Sequence, residues 1–525
     1  MFELPLRSAA RDESAIALRH SGKSTTYAEL ALEIERVAAA LMALNIGKLE
    51  RVAIFLPKQP EAVAAFFGIA RAGCVFVPIN PILKPEQVGH ILRDCGVRAL
   101  LTSSARGREL RGEFARSPDM KHLLLIDGVD ATDVATTATT HDWQALLASG
   151  NPLRAHRVID ADVLSILYTS GSTGRPKGVV LSHRNMVTGA HSVAQYLQNR
   201  PQDVLLAVLP FSFDYGFSQL TTAFHVGASV VLMEYLFARD IIKLAGRERV
   251  TGLAGVPPIW LQLAELDWPD DVRGTLRYIT NSGGVMPVAT LKRLRAALPD
   301  TTPYLMYGLT EAFRSTYLPP DELEKRPDSM GKAIPNAEIM VVRPDGSACD
   351  ANEPGELVHR GALVALGYWN DPVKTAERFK PTPNQDPGLV LTEMAVWSGD
   401  TVRRDAQGFL YFVGRRDEMI KTSGYRISPT ELEEVIYSTG LVTDAVAVGV
   451  PHPTLGQAIV IVASAPEGQQ GDDRQLLAEC SKRLPTYMVP AHIAWMPALP
   501  RNPNGKFDRP LLAAQFKSLY GKAAP

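Results

Sequence analysis

Short apolar segments alternate with helix-forming segments along the first part of this chain. Apolar residues at helical spacing predict a helix over Tyr27–Leu44, and a strand, a helix and a strand follow over Arg51–Leu56, Glu61–Ala72 and Cys74–Pro78. A second block with the same alternation runs from Val204 to Met306. Strands that alternate with helices form parallel sheets that are covered on both faces. The sequence therefore predicts an α/β fold with parallel-type sheets.

The chain has 525 residues, which is too long for one core and predicts at least two domains. From Gly331 to Val413 the strands become shorter and Pro and Gly more frequent, which predicts an all-β portion. A small α+β unit follows Arg416. We therefore expect a domain over residues 1–416, a second over 417–525 and a boundary near Asp417. The region 128–150, rich in Thr, Ala, Asp and Ser, indicates a polar excursion.

The charge balance and the cysteines exclude several classes of protein. Lys and Arg number 55 against 56 Asp and Glu, so no nucleic acid or anionic membrane is expected as a partner. The four cysteines form no CxxC pair, which argues against structural zinc and disulfides and fits a reducing cytoplasm. No apolar stretch is long enough for a membrane span, and early charges argue against a signal peptide.

The stretch Tyr168–Val179, Tyr-Thr-Ser-Gly-Ser-Thr-Gly-Arg-Pro-Lys-Gly-Val, concentrates glycines and hydrogen-bond donors after an apolar strand. Glycines let backbone N–H groups converge, the hydroxyls add donors, and Lys177 adds a positive charge, so the loop suits a polyphosphate. Pro176 excludes a Walker loop, and a surface turn is the alternative. The candidate phosphate-binding residues are Thr169, Ser170, Gly171, Ser172, Thr173 and Gly174.

The hexapeptide Tyr307–Ala312 and the carboxylate of Asp214 are two further candidate functional groups. Tyr307-Gly-Leu-Thr-Glu-Ala312 follows an apolar strand, and a hydroxyl beside a carboxylate at a strand end can hold a phosphate oxygen and Mg²⁺ together. A plain strand–turn–helix is the alternative. Asp214 lies among aromatic residues, where a carboxylate needs a cation or donors. It is either a pocket residue that binds a positive substrate group or a helix N-cap.

The stretches Tyr168–Val179 and Tyr307–Ala312 resemble two signatures of the AMP-forming adenylating enzymes. This family includes acyl-CoA synthetases, amino-acid adenylation domains and luciferases. The resemblance covers nearly the whole chain. It implies a large N-terminal domain of two parallel-type sheets with covering helices plus a distorted β-barrel, and a small mobile α+β C-terminal domain. It also implies that Tyr307 packs on adenine, Thr310 contacts the α-phosphate and Glu311 coordinates Mg²⁺. Further nucleotide contacts are implied for Gly283, Gly284, Asp400 and Arg415.

The resemblance extends to the C-terminal part. Asp417 matches the hinge about which this family rotates its small domain, and Gly424 matches the place where a pantetheine thiol approaches. Lys421 is either part of this loop or a solvated surface charge. Lys506, in Asn502-Pro-Asn-Gly-Lys506, matches the lysine that bridges the substrate carboxylate and the α-phosphate. The implied catalytic residues are Lys506, Lys177, Thr310 and Glu311.

The implied reaction has two steps: a carboxylate attacks Mg·ATP to give acyl-AMP, and a thiol of CoA or phosphopantetheine displaces AMP. Many acyl-CoA synthetases carry His where this chain has Asp214, whereas amino-acid adenylation domains carry Asp. Arg314 could pair with Asp214 or meet a second acidic group of the substrate. The predicted pocket residues are Asp214, Tyr215, Ser218, Met306, Arg314 and Ser315.

Three functions follow as hypotheses. The first is an acyl-CoA ligase, and the runs Tyr307–Thr316 and Pro327–Asn336 resemble the ligases associated with exosortase systems. The second is a stand-alone enzyme that activates an amino acid or acyl group and loads a separate acyl carrier protein, since no Gly-Gly-x-Ser carrier signature follows Lys506. The third is a nucleotide-binding regulator without catalysis, which the retention of Lys506 and Glu311 disfavours.

Overall fold

A computed structural model of this chain describes residues 1–128, 138–149, 156–169, 176–284, 286, 288–415, 419–427, 429–466, 468–500 and 507–521. Helices in these ranges connect the strands and cover the sheets. The α-helices span Glu3–Arg11, Tyr27–Ala43, Pro60–Ala72, Pro85–Asp94, Ser104–Glu109, Arg111–Phe114, Trp143–Ser149, His183–Leu197, Asp214–Val226, Ala238–Arg247, Pro257–Leu263, Asp270–Arg273, Val288–Ala297, Pro372–Arg378, Pro429–Ser438, Asp473–Arg483 and Arg509–Gln515. Short 3-10 helices span Thr310–Ala312, Pro320–Glu322 and Thr486–Met488.

Local capping signals set the ends of the predicted helices. Thr26 accepts a hydrogen bond from the backbone of Glu29, and the Glu29 side chain accepts one from the backbone of Thr26, so the helix Tyr27–Ala43 begins with a capping box. Gly73, at φ 80°, ends the helix Pro60–Ala72 because a left-handed residue there stops the α-helical pattern. Both helices confirm the sequence prediction to within one residue.

The second alternating block of the sequence forms the first sheet of the large domain. Its central strands run parallel, as the alternation predicts. Within the described residues this sheet has nine strands, in spatial order Lys332–Ala333, Thr316–Tyr317, Thr302–Tyr307, Tyr278–Asn281, Gly252–Gly255, Val204–Ala207, Ser229–Leu232, Ile16–His20 and Lys23–Thr26.

The first alternating block forms the second sheet, whose central strands are also parallel. As far as the described ranges show, it has eight strands, in spatial order Gly367–Tyr368, Lys177–Ser182, Val163–Thr169, Val75–Pro78, Arg51–Phe55, Val97–Thr102, His122–Leu125 and Thr139–Asp142. The strands Val163–Thr169 and Lys177–Ser182 pair antiparallel, so the ends of the predicted phosphate loop are held side by side.

Two smaller sheets follow. The region expected to be a distorted barrel is an antiparallel sheet of Ala337–Val342, Gly355–Gly361, Met394–Arg404 and Phe379–Pro381, with Leu410–Arg415 paired to Met394–Arg404. The C-terminal sheet contains Tyr425–Ile427, Ile420–Thr422, Gly456–Ser464 and Asp444–His452, with His492–Trp495 paired to Gly456–Ser464. Its helices complete a small α+β domain. The predicted architecture of a large α/β domain and a smaller C-terminal domain is confirmed.

Two local expectations are wrong. The polar excursion contains a strand, Thr139–Asp142, and a helix, Trp143–Ser149, which is anchored because the Trp143 ring is buried in the core. The all-β portion contains the helix Pro372–Arg378, which begins where the Asp371 side chain accepts from the backbone of Lys374. The expected boundary at Asp417 lies outside the described residues. No helix in the described part of the chain is long and apolar enough to cross a membrane.

Candidate active site

A cavity of about 1040 Å³ opens where the parallel strands of the first sheet end. Val208, Val256, Ser282 and Gly308, which follow four of these strands, all line it. The carboxyl ends of parallel strands are the usual place for ligand sites in α/β sheets. The sheet topology therefore brings together segments that are far apart in the sequence.

The ends of the predicted phosphate loop lie at the wall of this cavity. Thr169, Pro176 and Lys177 line it, and Thr169 pairs with Lys177 across the antiparallel ladder. The other candidate donors of the loop lie outside the described residues; these are Ser170, Gly171, Ser172, Thr173 and Gly174. The described flanks of the loop therefore lie at the cavity wall.

Glu311, the predicted magnesium ligand, is held by a residue that the sequence analysis did not identify. The Tyr368 hydroxyl donates a hydrogen bond of 2.6 Å to Glu311 Oε1, and the Lys177 ammonium lies 5.4 Å from the centre of the Tyr368 ring. Burial and then the charge of Glu311 raise the pKa of Tyr368, which keeps the hydroxyl protonated as a donor. The signal for Tyr368 in the sequence is weak, because its strand, Gly367–Tyr368, has only two residues.

Positive side chains surround this end of the cavity. Lys374, Arg378 and Arg426 line it together with Lys177. Burial and then the nearby Lys374 lower the pKa of Lys177. An anion placed here would offset both effects, so the cluster suits a polyphosphate.

Glu311 is the carboxylate at this end that the sequence predicts as a metal ligand, and Glu377 also lines the cavity, paired with Lys374 at 2.8 Å. Among the described residues there is no group of three or more His, Cys, Asp and Glu side chains that could hold a metal ion. Glu311 lines the cavity beside the cationic cluster. This arrangement fits Mg²⁺, which proteins commonly bind through one or two carboxylates together with substrate phosphates.

Two of the predicted nucleotide contacts, Tyr307 and Asp400, bond to each other beside the cavity. The Tyr307 hydroxyl donates a 2.5 Å hydrogen bond to Asp400 Oδ2, although the two residues are 93 positions apart. Their chain neighbours Gly308 and Gly399 line the cavity. Asp400 pairs with Arg415 in the antiparallel ladder, and the side chain of Arg415 lies outside the described structure.

The glycine turn expected beside adenine also lies at the cavities. Gly283 lines the main cavity, and both Gly283 and Gly284 line a second one. The Asn281 side chain donates a 3.0 Å hydrogen bond to the carbonyl of Gly284, which fixes the turn at the end of its strand.

Asp214 and Arg314 form a buried ion pair in the cavity wall. Arg314 Nη1 lies 3.0 Å from Asp214 Oδ2, and the Thr310 hydroxyl donates to Asp214 Oδ1 at 3.3 Å. Burial raises the pKa of Asp214, whereas Arg314 and Thr310 oppose that shift. The helix Asp214–Val226 has Phe213 at its N-cap position with no side-chain cap, so the reading of Asp214 as an N-cap is wrong.

The predicted pocket residues divide into two groups. Asp214, Tyr215 and Arg314 line the cavity, as the described residues define it. The other three are buried and engaged inside the protein. Ser218 Oγ lies 3.5 Å from Thr222 Oγ1, Met306 Sδ accepts from the Tyr196 hydroxyl at 3.0 Å, and Ser315 Oγ lies 2.9 Å from His359 Nδ1.

The C-terminal domain contributes its glycine loop to the wall of the cavity. A Cβ atom on Gly424 would lie 2.9 Å from Val256 Cγ2, and a Cβ on Gly283 would lie 3.8 Å from the Gly424 carbonyl oxygen. Gln87 Nε2 donates to Glu431 Oε1 at 3.3 Å and joins the two domains nearby. The loop therefore lies against the glycine turn of the large domain.

A second cavity, of about 490 Å³, meets the first at Gly283 and Gly424, which line both. Lys421 lines the second cavity, and its ammonium lies 4.5 Å from the centre of the Phe412 ring. The two cavities therefore adjoin each other at the glycine turn and the glycine loop. The remaining predicted C-terminal residues, Asp417 and Lys506, lie outside the described residues.

Comparisons with known proteins agree with this arrangement. An L-proline–[L-prolyl-carrier protein] ligase of Streptomyces coelicolor is 31% identical over 92% of this chain and 90% of its own length. The long-chain-fatty-acid–CoA ligase FadD13 of Mycobacterium tuberculosis is 29% identical over 95% of this chain and 94% of its own. The chain is also 30% identical to two much longer proteins of Brevibacillus parabrevis, and it spans only 6% of a linear gramicidin synthase and 7% of Tyrocidine synthase 3.

A solved structure and two family models complete the comparison. The o-succinylbenzoate CoA synthetase (MenE) of Bacillus subtilis, solved as a double mutant, is 26% identical and superposes with a TM-score of 0.83 over 98% of both chains. The AMP-binding enzyme model matches residues 6–369, and the model of the AMP-binding enzyme C-terminal domain matches residues 431–506. The chain belongs to the family of AMP-binding, adenylating enzymes.

Proposed function

We propose that this protein is an AMP-forming acid–thiol ligase of the acyl-CoA synthetase type, which uses ATP to activate a carboxylic acid. The observation that carries the proposal is the main cavity, where Lys177, Thr310 and Glu311 lie with the Asp214–Arg314 pair at the ends of the parallel strands. Cations, a hydroxyl donor and a carboxylate that can hold Mg²⁺ are the groups that a reaction of Mg·ATP with an anion requires.

In the first half-reaction, a carboxylate oxygen of the acid attacks the α-phosphorus of ATP and the bond to the β-phosphate bridging oxygen breaks. Acyl-AMP and pyrophosphate result. Negative charge accumulates at the α-phosphate, so Lys506 and the Thr310 hydroxyl would stabilise it, while Lys177 would hold the departing pyrophosphate. Glu311, oriented by Tyr368, would hold Mg²⁺, which supplies charge neutralisation for the phosphates.

In the second half-reaction, the sulfur of a pantetheine thiol attacks the acyl carbon, the thiol proton passes to solvent, and AMP leaves with one oxygen of the acid. The second cavity supports this step because it meets the main cavity at Gly283 and Gly424, where Met419 and Leu455 also line both cavities. A Cβ atom at position 424 would lie 2.9 Å from Val256 Cγ2, so glycine is the residue that fits at this junction.

The acceptor is CoA in this proposal, and the second candidate is a separate carrier protein with a phosphopantetheine thiol. Each acceptor is supported by one of the relatives. One relative is a fatty-acid–CoA ligase, and another is a prolyl-carrier-protein ligase. The four cysteines are free and buried, which supports a location in the reducing cytoplasm.

Acid-dependent exchange of labelled pyrophosphate into ATP tests the first half-reaction. We expect exchange with at least one acid of a panel of fatty, aromatic and amino acids, and its loss in Lys506→Ala with ATP binding nearly intact. Unchanged exchange in the variant would remove Lys506 from its proposed role. Adding CoA or a purified carrier protein and weighing the product then identifies the acceptor.

A further inference from the structure

Arg314 neutralises the negative charge of the Asp214 carboxylate in an ion pair. Without that pair, the carboxylate could bind the ammonium group of a substrate. The two side chains are 4% and 2% exposed and lie 3.0 Å apart at Oδ2 and Nη1. The other oxygen, Oδ1, accepts from the Thr310 hydroxyl at 3.3 Å. Both oxygens of Asp214 are therefore engaged before any substrate enters.

Arg314 is held firmly in this position. Its guanidinium lies 4.6 Å from the centre of the Tyr215 ring, and Nη1 also donates to the carbonyl of Phe313 at 2.9 Å. Tyr215 is fixed in turn, because its hydroxyl lies 2.5 Å from Thr280 Oγ1. An ammonium group could reach Asp214 only by displacing a cation held by an ion pair, a hydrogen bond and a ring contact.

Arg314 also has donors without a partner. Its Nε and Nη2 atoms are buried and find no hydrogen-bond acceptor among the described residues, although Arg314 lines the main cavity. Buried donors are nearly always satisfied in folded proteins, and an unsatisfied one is costly. An oxygen atom of a substrate bound at this wall of the cavity would supply the missing acceptor.

We propose that Arg314 determines the substrate class: the site takes a carboxylic acid that bears an additional oxygen acceptor and rejects α-amino acids. This inference rests on the proposed adenylation function. The ammonium group of an amino acid meets the guanidinium as a like charge, whereas a carbonyl or hydroxyl oxygen meets unpartnered donors. The ion pair is close to neutral as a unit, so the additional acceptor need not carry a charge.

Acids that differ in one substituent test the proposal by pyrophosphate exchange. The set contains pentanoate, 2-oxopentanoate, 2-hydroxypentanoate and norvaline, the corresponding hexanoate series, and benzoate with its 2-hydroxy and 2-amino derivatives. We expect the wild type to use at least one oxo or hydroxy acid best and to use its amino counterpart about 100-fold less well. A wild type that prefers the amino acid would overturn the proposal. Exchange with no acid at all would overturn the proposed function, and this inference with it.

Variants separate the role of Arg314 from a structural one. Arg314→Leu frees Asp214 and should raise use of the amino acid relative to the oxo acid by about tenfold or more. Arg314→Lys retains the charge and should still reject the amino acid. Arg277→Leu is the matched control, because it breaks a pair with Asp203, at 2.7 Å, outside the residues that line the main cavity. An unchanged ratio in Arg314→Leu would overturn the proposal.

Arg314→Leu leaves the Asp214 charge buried and unpaired, so this variant can misfold. A double variant keeps the proposal testable in that case. Asp214→Leu/Arg314→Leu replaces the pair by apolar side chains, a change that folded proteins often tolerate. It should fold, lose the preference for the oxo acid and still reject the amino acid, because no carboxylate remains. Amino-acid use equal to that of Arg314→Leu would show that Asp214 is not the group that recognises the ammonium.

Discussion

Tyr368 donates a hydrogen bond of 2.6 Å to Glu311 across 57 positions of sequence. Tyr368 belongs to a short strand that pairs with Val179, so the ladder that begins at Lys177 also positions the tyrosine. One hydroxyl therefore connects the segment after the phosphate loop with the carboxylate proposed to hold Mg²⁺. The orientation of Glu311 depends on this contact.

Tyr368→Phe should weaken the response to Mg²⁺ without loss of the fold. A hydrogen bond to a charged group contributes about 1.5–3 kcal/mol, so the Mg²⁺ concentration for half-maximal exchange should rise about tenfold. The measurement is pyrophosphate exchange as a function of Mg²⁺ at fixed ATP. Tyr411→Phe, which removes a hydroxyl donating to Asp405 at 3.2 Å, is the control. Equal Mg²⁺ curves for wild type and Tyr368→Phe would contradict the assigned role.

Gly424→Ala should impair thiol transfer more than adenylation. Its φ is +82°, and an added Cβ would lie 2.9 Å from Val256 Cγ2 and 3.0 Å from Val256 Cβ, so the loop must shift. We expect exchange within about twofold of wild type and thioester formation reduced about tenfold. Gly440→Ala has a similar φ of +70° but no atom within 4 Å, and it should affect neither step. An equal effect of both variants would show that strain at a positive φ explains the loss and that the contact with Val256 does not.

Asp400→Ala should weaken ATP binding through the ribose. A carboxylate can accept from both ribose hydroxyls, so the KM for ATP should rise about tenfold or more. Tyr307→Phe keeps the ring and leaves the Asp400 carboxylate in place while it removes the 2.5 Å bond between them, so its effect should be smaller. Comparing ATP with 3′-deoxy-ATP identifies the contact: the wild type should discriminate between them and Asp400→Ala should not. Discrimination retained by the variant would argue against a ribose contact.

His359 should make the fold sensitive to acid. Burial lowers the pKa of His359 to about 3, from an ordinary 6.5. The unfolded chain binds this proton between pH 6.5 and 3 and the folded chain does not, so the stabilising contribution is complete above pH 6.5 and is lost as pH falls toward 3. At pH 4.5 the loss is about 2–3 kcal/mol. His359→Gln should therefore show a shallower fall in Tm between pH 7 and pH 4.5, and parallel curves would contradict this reading.

The sequence predicted the parts of the fold that local patterns determine. Apolar residues at helical spacing predicted the helix Tyr27–Ala43, and the apolar run after Asp162 forms the strand Val163–Thr169. The helix Trp143–Ser149 was not predicted, because it depends on the burial of Trp143, which the polar composition around it conceals. Periodicity indicates an element, whereas tertiary contacts decide whether a polar segment joins a sheet.

In the candidate site, too, local patterns predicted some residues and tertiary contacts decided the others. Lys177, Thr310 and Glu311 were predicted from donor-rich motifs, and the structure brings all three to one cavity. Tyr368 was missed because its function comes from pairing with a distant strand. The choice between two partners for Arg314 was left open, because it depends on a side-chain position that spacing does not specify; in the structure Arg314 pairs with Asp214.

The central claim, that the protein joins an acid to AMP before transferring it to a thiol, is tested most directly with an acid labelled with ¹⁸O in both carboxylate oxygens. The enzyme is incubated with ATP, the acid and CoA or a carrier protein, and the AMP is analysed by mass spectrometry. Attack of the carboxylate on the α-phosphorus predicts one ¹⁸O atom in each AMP released by the thiol. Unlabelled AMP, or ADP with labelled phosphate, would contradict the claim.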